Sequence, residues 1–103
     1  MFGGKLHAAA ELAPKQIGRV VDLAKFLSRR GRTQESDAIF ERARNLQPNH
    51  PTYLWERANL LIEQKRNLPE ARQLLQQYMG TKVNPDEDHK EEARKLLAKI
   101  QGA

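Results

Sequence analysis

The side chains of this chain that could bind a metal ion or move protons are three histidines and one run of carboxylates. The histidines are scattered, and no two of them stand four residues apart, the spacing at which two helical histidines share one metal ion. The carboxylates lie where a helix is expected to begin, and a helix N-terminus favours negative charge without any ligand. We therefore predict no metal site and no cofactor. The residues concerned are His7, His50 and His89, and Asp86, Glu87, Asp88, Glu91 and Glu92.

Catalytic chemistry is not indicated by the remaining residues. The chain has no cysteine, which excludes disulfides, thiolate zinc sites and cysteine nucleophiles within it. The residue spacing reveals no glycine-rich phosphate loop, nucleophile–base pairing or pair of catalytic carboxylates. The sequence therefore predicts a protein that is not an enzyme.

Arg29, Arg30 and Arg32 form a basic cluster that could contact nucleic acid or an acidic peptide. The net charge is +5, and residues 1–50 hold nine Lys/Arg against five Asp/Glu, whereas residues 51–103 hold nine against eight. A modest excess of this kind also suits a solvated helical surface, because cations near the end of a helix are stabilised by its dipole. RNA binding by the basic half is therefore an alternative that ranks below protein binding.

The order of apolar residues predicts helices. Four residues near the start of the chain recur thirty-four positions later, a period typical of helix–turn–helix repeats. They are Leu6, Ala9, Leu12 and Pro14, matched by Phe40, Ala43, Leu46 and Pro48. Hydrophobic residues make up 39% and charged residues 30% of the chain, as in soluble helical proteins. No apolar run approaches the roughly 18 residues of a membrane-spanning helix.

We predict one domain over 1–103, with a remnant helix over 6–13, repeats over 15–48 and 51–80, and a capping helix over 85–101. Asn84, Pro85 and Glu87 have the N-cap, N1 and N3 identities of a helix start, so the last helix should begin at Pro85. One extra residue in the second repeat should lie in its internal loop near Lys65. The spacing predicts five buried stripes. They are Ile17, Val20, Leu23, Ala24 and Leu27; Ile39, Phe40, Ala43 and Leu46; Leu54, Ala58, Leu61 and Ile62; Ala71, Leu74, Leu75 and Tyr78; and Ala93, Leu96, Leu97 and Ile100.

These patterns resemble the tetratricopeptide repeat, in which small residues let two helices cross closely. The first repeat differs by Ser36 in place of the usual alanine, and the second has Arg57 at a normally apolar position. The matching residues are Val20, Leu23, Ala24, Leu27, Gly31, Ser36, Phe40, Ala43 and Pro48, then Leu54, Arg57, Ala58, Leu61, Ala71, Leu75 and Tyr78. The resemblance implies an all-α fold, a right-handed α-solenoid of antiparallel helix pairs. A local likeness to the half-a-tetratricopeptide repeat of RNA-processing factors is the alternative.

In the tetratricopeptide family, ligands usually bind a groove lined by the first helix of each pair. Carried over by position, the resemblance implies a set of partner-binding residues with Trp55 as the anchor, since tryptophan is enriched among binding hot spots. The set is Val21, Asp22, Lys25 and Arg29, then Trp55, Glu56, Asn59 and Glu63. The family's carboxylate clamp is not reproduced, because Val21 replaces its first lysine and Glu56 its asparagine.

The predicted function is a non-catalytic scaffold that binds a protein or peptide partner, as a fragment of a larger repeat protein. Self-assembly into a homo-oligomer is a further alternative, because a chain that begins in mid-repeat would expose the face that a missing helix covers. The first residues lack the features of a signal peptide. The compartment stays open, with the cytoplasm slightly favoured.

Overall fold

The computed structural model describes residues 16–100, and all regular structure in that range is helical. The predicted all-α class is confirmed for these residues, whereas the predicted remnant helix over 6–13 lies outside them. The five α-helices are α1 Gln16–Arg29, α2 Thr33–Leu46, α3 Pro51–Glu63, α4 Leu68–Met79 and α5 Lys90–Ile100, with a 3₁₀ turn at Pro85–Glu87 before α5.

The chain divides into two compact units, Met1–Pro48 and Asn49–Ala103. The first contains α1 and α2, and the second contains α3, α4 and α5. The boundary follows Pro48, where the first repeat is predicted to end. The grouping of the whole chain into one domain stays a prediction. None of the described helices combines the length and the apolar character needed to cross a bilayer.

In the first unit, α1 and α2 pack against each other. The buried face of α1 is formed by Ile17, Val21, Ala24 and Leu27, which differs from the predicted stripe. Leu23 was predicted to be buried and is 47% exposed. Val21 lies four residues after Ile17 and three before Ala24, so it continues their face of the helix, whereas Leu23 is turned away from it.

Ser36 shows why a hydroxyl is tolerated where the repeat pattern usually has alanine. The side chain of Ser36, on α2, is fully buried, and its Oγ donates a hydrogen bond of 2.7 Å to the carbonyl oxygen of Ala24 on α1. A buried hydroxyl without a partner would destabilise the core, whereas this one ties the two helices together. Of the predicted stripe on α2, Phe40 and Ala43 are buried, whereas Ile39 and Leu46 are half-buried.

Both helical hairpins turn through a residue in the left-handed conformation. Gly31 has φ 79° and Lys65 has φ 53°. In each turn the following residue donates its backbone N–H to the carbonyl oxygen five positions earlier in the chain. Arg32 donates to Leu27 at 2.9 Å and Arg66 donates to Leu61 at 3.1 Å, which is the Schellman arrangement. The second loop is one residue longer, as predicted, because three residues separate α1 from α2 and four separate α3 from α4.

Exchanging the residue types at these two turns should change stability in opposite directions. Gly31→Ala should lower the free energy of unfolding by about 1 kcal/mol, because an L side chain is strained at positive φ, although open space surrounds the position of the added Cβ. Lys65→Gly should raise it by about 1 kcal/mol by relieving the same strain. Urea unfolding followed by circular dichroism measures both free energies. Equal changes of the same sign in the two variants would contradict the strain attributed to the left-handed conformation at these turns.

The second unit is built on contacts of α4 with α3 and with α5. All four predicted buried residues of α4 are buried, and Tyr78 is the largest of them. Arg57 occupies a buried position on α3 because its charge has a partner. Its Nε lies 3.7 Å from Glu70 Oε2, and Glu70 Oε1 accepts a 2.7 Å hydrogen bond from Asn67 Nδ2.

The last helix begins at Lys90 and not at Pro85, which corrects the predicted boundary. The start signal at Asn84 and Pro85 yields only the 3₁₀ turn, after which Asp88 is extended. The Asp88 carboxylate accepts the Lys90 N–H at 2.8 Å, and the His89 N–H donates to the Tyr78 hydroxyl at 2.9 Å. A contact with another helix therefore outweighs the local preference for a helix that starts earlier. Of the predicted stripe on α5, Ala93 and Ile100 are buried and Leu96 and Leu97 are half-buried.

Candidate partner-binding site

The second unit has a surface pocket beside Trp55, which we call the Trp55 pocket. Its volume is about 170 Å³, well above the 10–15 Å³ of accessible volume that holds one water molecule. The side chains come from α3, from α4 and from the segment between α4 and α5. The lining residues are Pro51, Thr52, Trp55, Glu56, Tyr78, Val83, Glu87 and His89.

Three rings form the aromatic part of the pocket. The imidazole of His89 stacks on the indole of Trp55, with ring centroids 4.8 Å apart and planes 4° from parallel. The ring of Tyr78 lies 5.4 Å from the same indole at an interplanar angle of 31°. Trp55 is half-buried, so these contacts hold its ring in place while part of it stays accessible. A fixed aromatic side chain loses little conformational entropy when a ligand covers it.

Hydrogen bonds fix His89 through both its backbone and its ring. Its backbone N–H donates to the Tyr78 hydroxyl, and its Nδ1 lies 2.9 Å from Glu92 Oε1. Burial raises the pKa of the Tyr78 phenol, nearby carboxylates of Asp88, Glu92 and Glu87 add to the rise, and the hydrogen bond from His89 opposes it. The phenol is therefore neutral at neutral pH and accepts the His89 N–H with its oxygen.

The charged residues that line the Trp55 pocket are acidic. Glu56 and Glu87 belong to the lining, and no lysine or arginine of the described residues does. A depression of about 310 Å³ adjoins the pocket, since the two share Pro51, Thr52, Val83 and Glu87, and Lys82 is one of its lining residues. The pocket is thus an aromatic and acidic patch on a chain whose net charge is +5.

The predicted partner-binding residues fall in both units. Trp55 and Glu56 line the Trp55 pocket, whereas Asn59 and Glu63 do not. The Asn59 amide donates a 2.9 Å hydrogen bond to the Trp55 carbonyl oxygen, within its own helix.

The remaining predicted residues lie on α1. Asp22 and Arg29 are exposed and Lys25 is half-buried. Val21 is 1% exposed, so its side chain offers no surface to a partner, which corrects its assignment to the groove. Val21 was placed by its position in the repeat, and in the structure it lies on the buried face of α1 with Ile17 and Ala24.

The basic cluster after α1 is partly engaged in contacts of its own. Arg32 Nε lies 2.6 Å from Glu35 Oε1, and the guanidinium carbon of Arg30 lies 5.7 Å from the centre of the Phe26 ring. These contacts use some of the charge that a phosphate would need. The structure therefore adds nothing in favour of the RNA-binding alternative.

Six lining residues of the Trp55 pocket were not predicted as site residues, namely Pro51, Thr52, Tyr78, Val83, Glu87 and His89. His89 lies thirty-four positions after Trp55 in the chain, and no local spacing rule brings two such residues together. The one available signal was Tyr78, because tyrosine at a buried position usually directs its hydroxyl to a polar partner.

His50 caps the first turn of α3 beside this pocket, at the edge of the adjoining depression. Its Nδ1 accepts the Thr52 N–H at 3.1 Å, which requires a neutral imidazole with its proton on Nε2. Burial lowers the pKa of His50, and the negative charge of Glu87 opposes that shift. Histidine is not among the preferred N-cap residues, so spacing and residue type did not indicate this role.

Stability of the second unit should therefore depend on pH through His50. Unfolded His50 takes up a proton near pH 6.5, and folded His50 does so only at lower pH. The unfolded state binds more protons in between, so the free energy of unfolding should fall as pH falls from about 7 through the folded pKa. His50→Asn keeps a capping side chain that does not titrate. Urea unfolding at pH 7.5, 6.5 and 5.5 should show a steeper loss in the native chain than in His50→Asn.

Comparison with protein-family models, with curated proteins and with solved structures finds no match to this chain.

Proposed function

We propose that this chain is a non-catalytic protein-interaction module whose helical hairpins stack as in the tetratricopeptide repeat, and that it binds a peptide or helix with Trp55 as the anchor. The observation that supports this proposal most directly is the Trp55 pocket. A partly accessible tryptophan, held by two other rings and surrounded by polar residues, has the composition of a binding hot spot.

The repeat part of the proposal is supported by burial at equivalent positions. Ala24, Ala58 and Ala93 stand 34 and 35 residues apart on α1, α3 and α5, and each is fully buried. Ser36 and Ala71, 35 residues apart on α2 and α4, are fully buried as well. Small residues at these points let neighbouring backbones approach closely. Recurrent burial of small residues is what a stack of similar hairpins requires.

The binding part is supported by the way the pocket is assembled. Trp55 comes from α3, Tyr78 from α4 and His89 from the segment before α5, so the site is fixed by three parts of the second unit. A site of this kind needs little rearrangement when a ligand arrives, which favours affinity. Helical interaction modules commonly use such preformed surfaces to recognise short segments of a partner.

Selection from a library of random peptides displayed on phage tests the proposal directly. We expect enrichment of peptides that bind the native chain, and a loss of about 30-fold in affinity for Trp55→Ala, as for a hot spot worth about 2 kcal/mol. Phe26→Ala is the matched control, because Phe26 is an exposed aromatic residue on α1 that is not one of the residues lining the pocket. No enrichment, or equal binding to Trp55→Ala, would overturn the proposal.

A second measurement does not depend on the fold of a variant. Titration of an enriched peptide into the isotope-labelled native chain should shift the amide signals of Thr52, Val83 and His89 and the indole N–H signal of Trp55. Signals of α2, such as that of Ala43, should shift less. Shifts centred on α2 would place the interaction elsewhere.

A further inference from the structure

We propose that the Trp55 pocket receives the guanidinium group of an arginine side chain of the partner. This inference rests on the proposed function and adds the chemistry of the residue recognised. The same side chains that make Trp55 an anchor also define the charge and shape of its ligand.

The acidic lining selects for a cation. Glu56 and Glu87 both line the pocket and Glu92 lies 2.9 Å from the ring nitrogen of His89, whereas Lys82 lines the adjoining depression and not the pocket. An anionic ligand such as a phosphate or an acidic peptide would meet two carboxylates at the pocket wall. A cationic ligand would be attracted even though the chain as a whole carries +5, because local charge dominates within a Debye length.

The aromatic lining selects among cations. A cation over an aromatic face is attracted by the ring quadrupole, and tryptophan is the strongest partner. Guanidinium is flat, is weakly hydrated and stacks on aromatic faces, whereas the ammonium of lysine is a compact, strongly hydrated charge. Arginine therefore suits a pocket that combines an indole with two carboxylates better than lysine does.

The remaining lining residues suit the rest of an arginine side chain. Pro51 and Val83 offer apolar surface to the methylene stem, and the Thr52 hydroxyl is a further acceptor for guanidinium N–H groups. A metal ion is a less suitable ligand, since no group of three or more His, Cys, Asp or Glu side chains within residues 16–100 is arranged to hold one.

The probe for this inference is N-acetyl-arginine methylamide, titrated into the isotope-labelled native chain and observed by NMR. We expect saturable shifts of the Trp55 indole N–H with a Kd on the order of a few millimolar, as for a ligand of this size. The lysine analogue should bind several-fold more weakly, and the norleucine analogue should not produce saturable shifts. Raising the salt concentration should weaken the arginine probe.

Charge variants distinguish binding of the probe in the pocket from a nonspecific attraction of the cationic probe to acidic residues elsewhere. The double variant Glu56→Gln with Glu87→Gln should weaken binding of the arginine probe by about 10-fold, as loss of charge-assisted hydrogen bonds worth about 1.4 kcal/mol implies. Glu91→Gln is the control, because Glu91 is exposed on α5 and its carboxylate pairs with Arg94 outside the pocket lining. A double variant that binds the probe as tightly as the native chain overturns the inference.

The outcome also distinguishes this inference from the proposed function. Selected peptides that need Trp55 but share no arginine would leave the interaction module standing and overturn the arginine assignment. Selected peptides that share an arginine, and lose at least 10-fold on its replacement by norleucine, would support both. Absence of selected peptides together with absence of probe binding would overturn both.

Discussion

Replacing Phe40 by alanine is expected to lower the free energy of unfolding of the first unit by about 3–5 kcal/mol. Phe40 is 1% exposed on α2, so the substitution removes a buried ring and leaves a cavity that the surrounding side chains fill only in part. A loss of this size is a large share of the 5–15 kcal/mol that typically stabilises a domain. Hydrogen exchange of the α1 and α2 amides at increasing urea concentration measures it.

Phe26→Ala is the matched control for this prediction, because the same side chain is removed from the same unit. Phe26 is 55% exposed, and its recorded ring contact is with Arg30. We expect a loss below about 1 kcal/mol, the range of an exposed cation–π pair. Equal losses of unfolding free energy in Phe40→Ala and Phe26→Ala would contradict the prediction that burial of Phe40 stabilises the first unit.

The second large effect is expected for Tyr78→Ala in the second unit, with a loss of about 3–5 kcal/mol. Tyr78 is the largest fully buried side chain of the described residues. It also contacts the Trp55 ring and accepts the His89 N–H. Its removal should therefore free the segment before α5 and open the Trp55 pocket. Thermal unfolding gives the stability, and Trp55 fluorescence reports the environment of the indole.

The variant Tyr78→Phe separates the contribution of the hydroxyl to stability from that of the ring. This variant keeps the buried ring and loses only the acceptor for the His89 N–H, so the expected loss is about 0.5–1.5 kcal/mol. Trp55 fluorescence should stay close to that of the native chain because the ring contact remains. If Tyr78→Phe were as unstable as Tyr78→Ala, the hydroxyl and not the packing of the ring would be the main contribution.

The core positions that the sequence predicted correctly are those where a helix has one apolar stripe. On α4, Ala71, Leu74, Leu75 and Tyr78 are buried as predicted, because the other residues between Ala71 and Tyr78 are polar and offer no second apolar face to bury. On α1, apolar residues occur on more than one side. The spacing there permits a stripe through Leu23 or one through Val21, and the structure buries Val21 and exposes Leu23.

Polar residues at core positions show a second limit of prediction from the sequence alone. Ser36 and Arg57 depart from the repeat pattern, and from the sequence both are anomalies. In the structure, Ser36 donates to the Ala24 carbonyl, and Arg57 lies beside Glu70. The partners are 12 and 13 residues away, so they are found only when two helices come together, and burial of the polar groups is then tolerable.

The all-α class and the two hairpin turns follow from residue order, because helical periodicity, proline and glycine act over a few neighbouring residues. The start of α5 and the composition of the Trp55 pocket do not follow from it. His89 meets Trp55 and Tyr78 through the packing of separate helices, and that contact overrides the local start signal at Pro85. Interactions between distant residues, which short-range preferences do not encode, therefore assemble the surface on which the proposed binding depends.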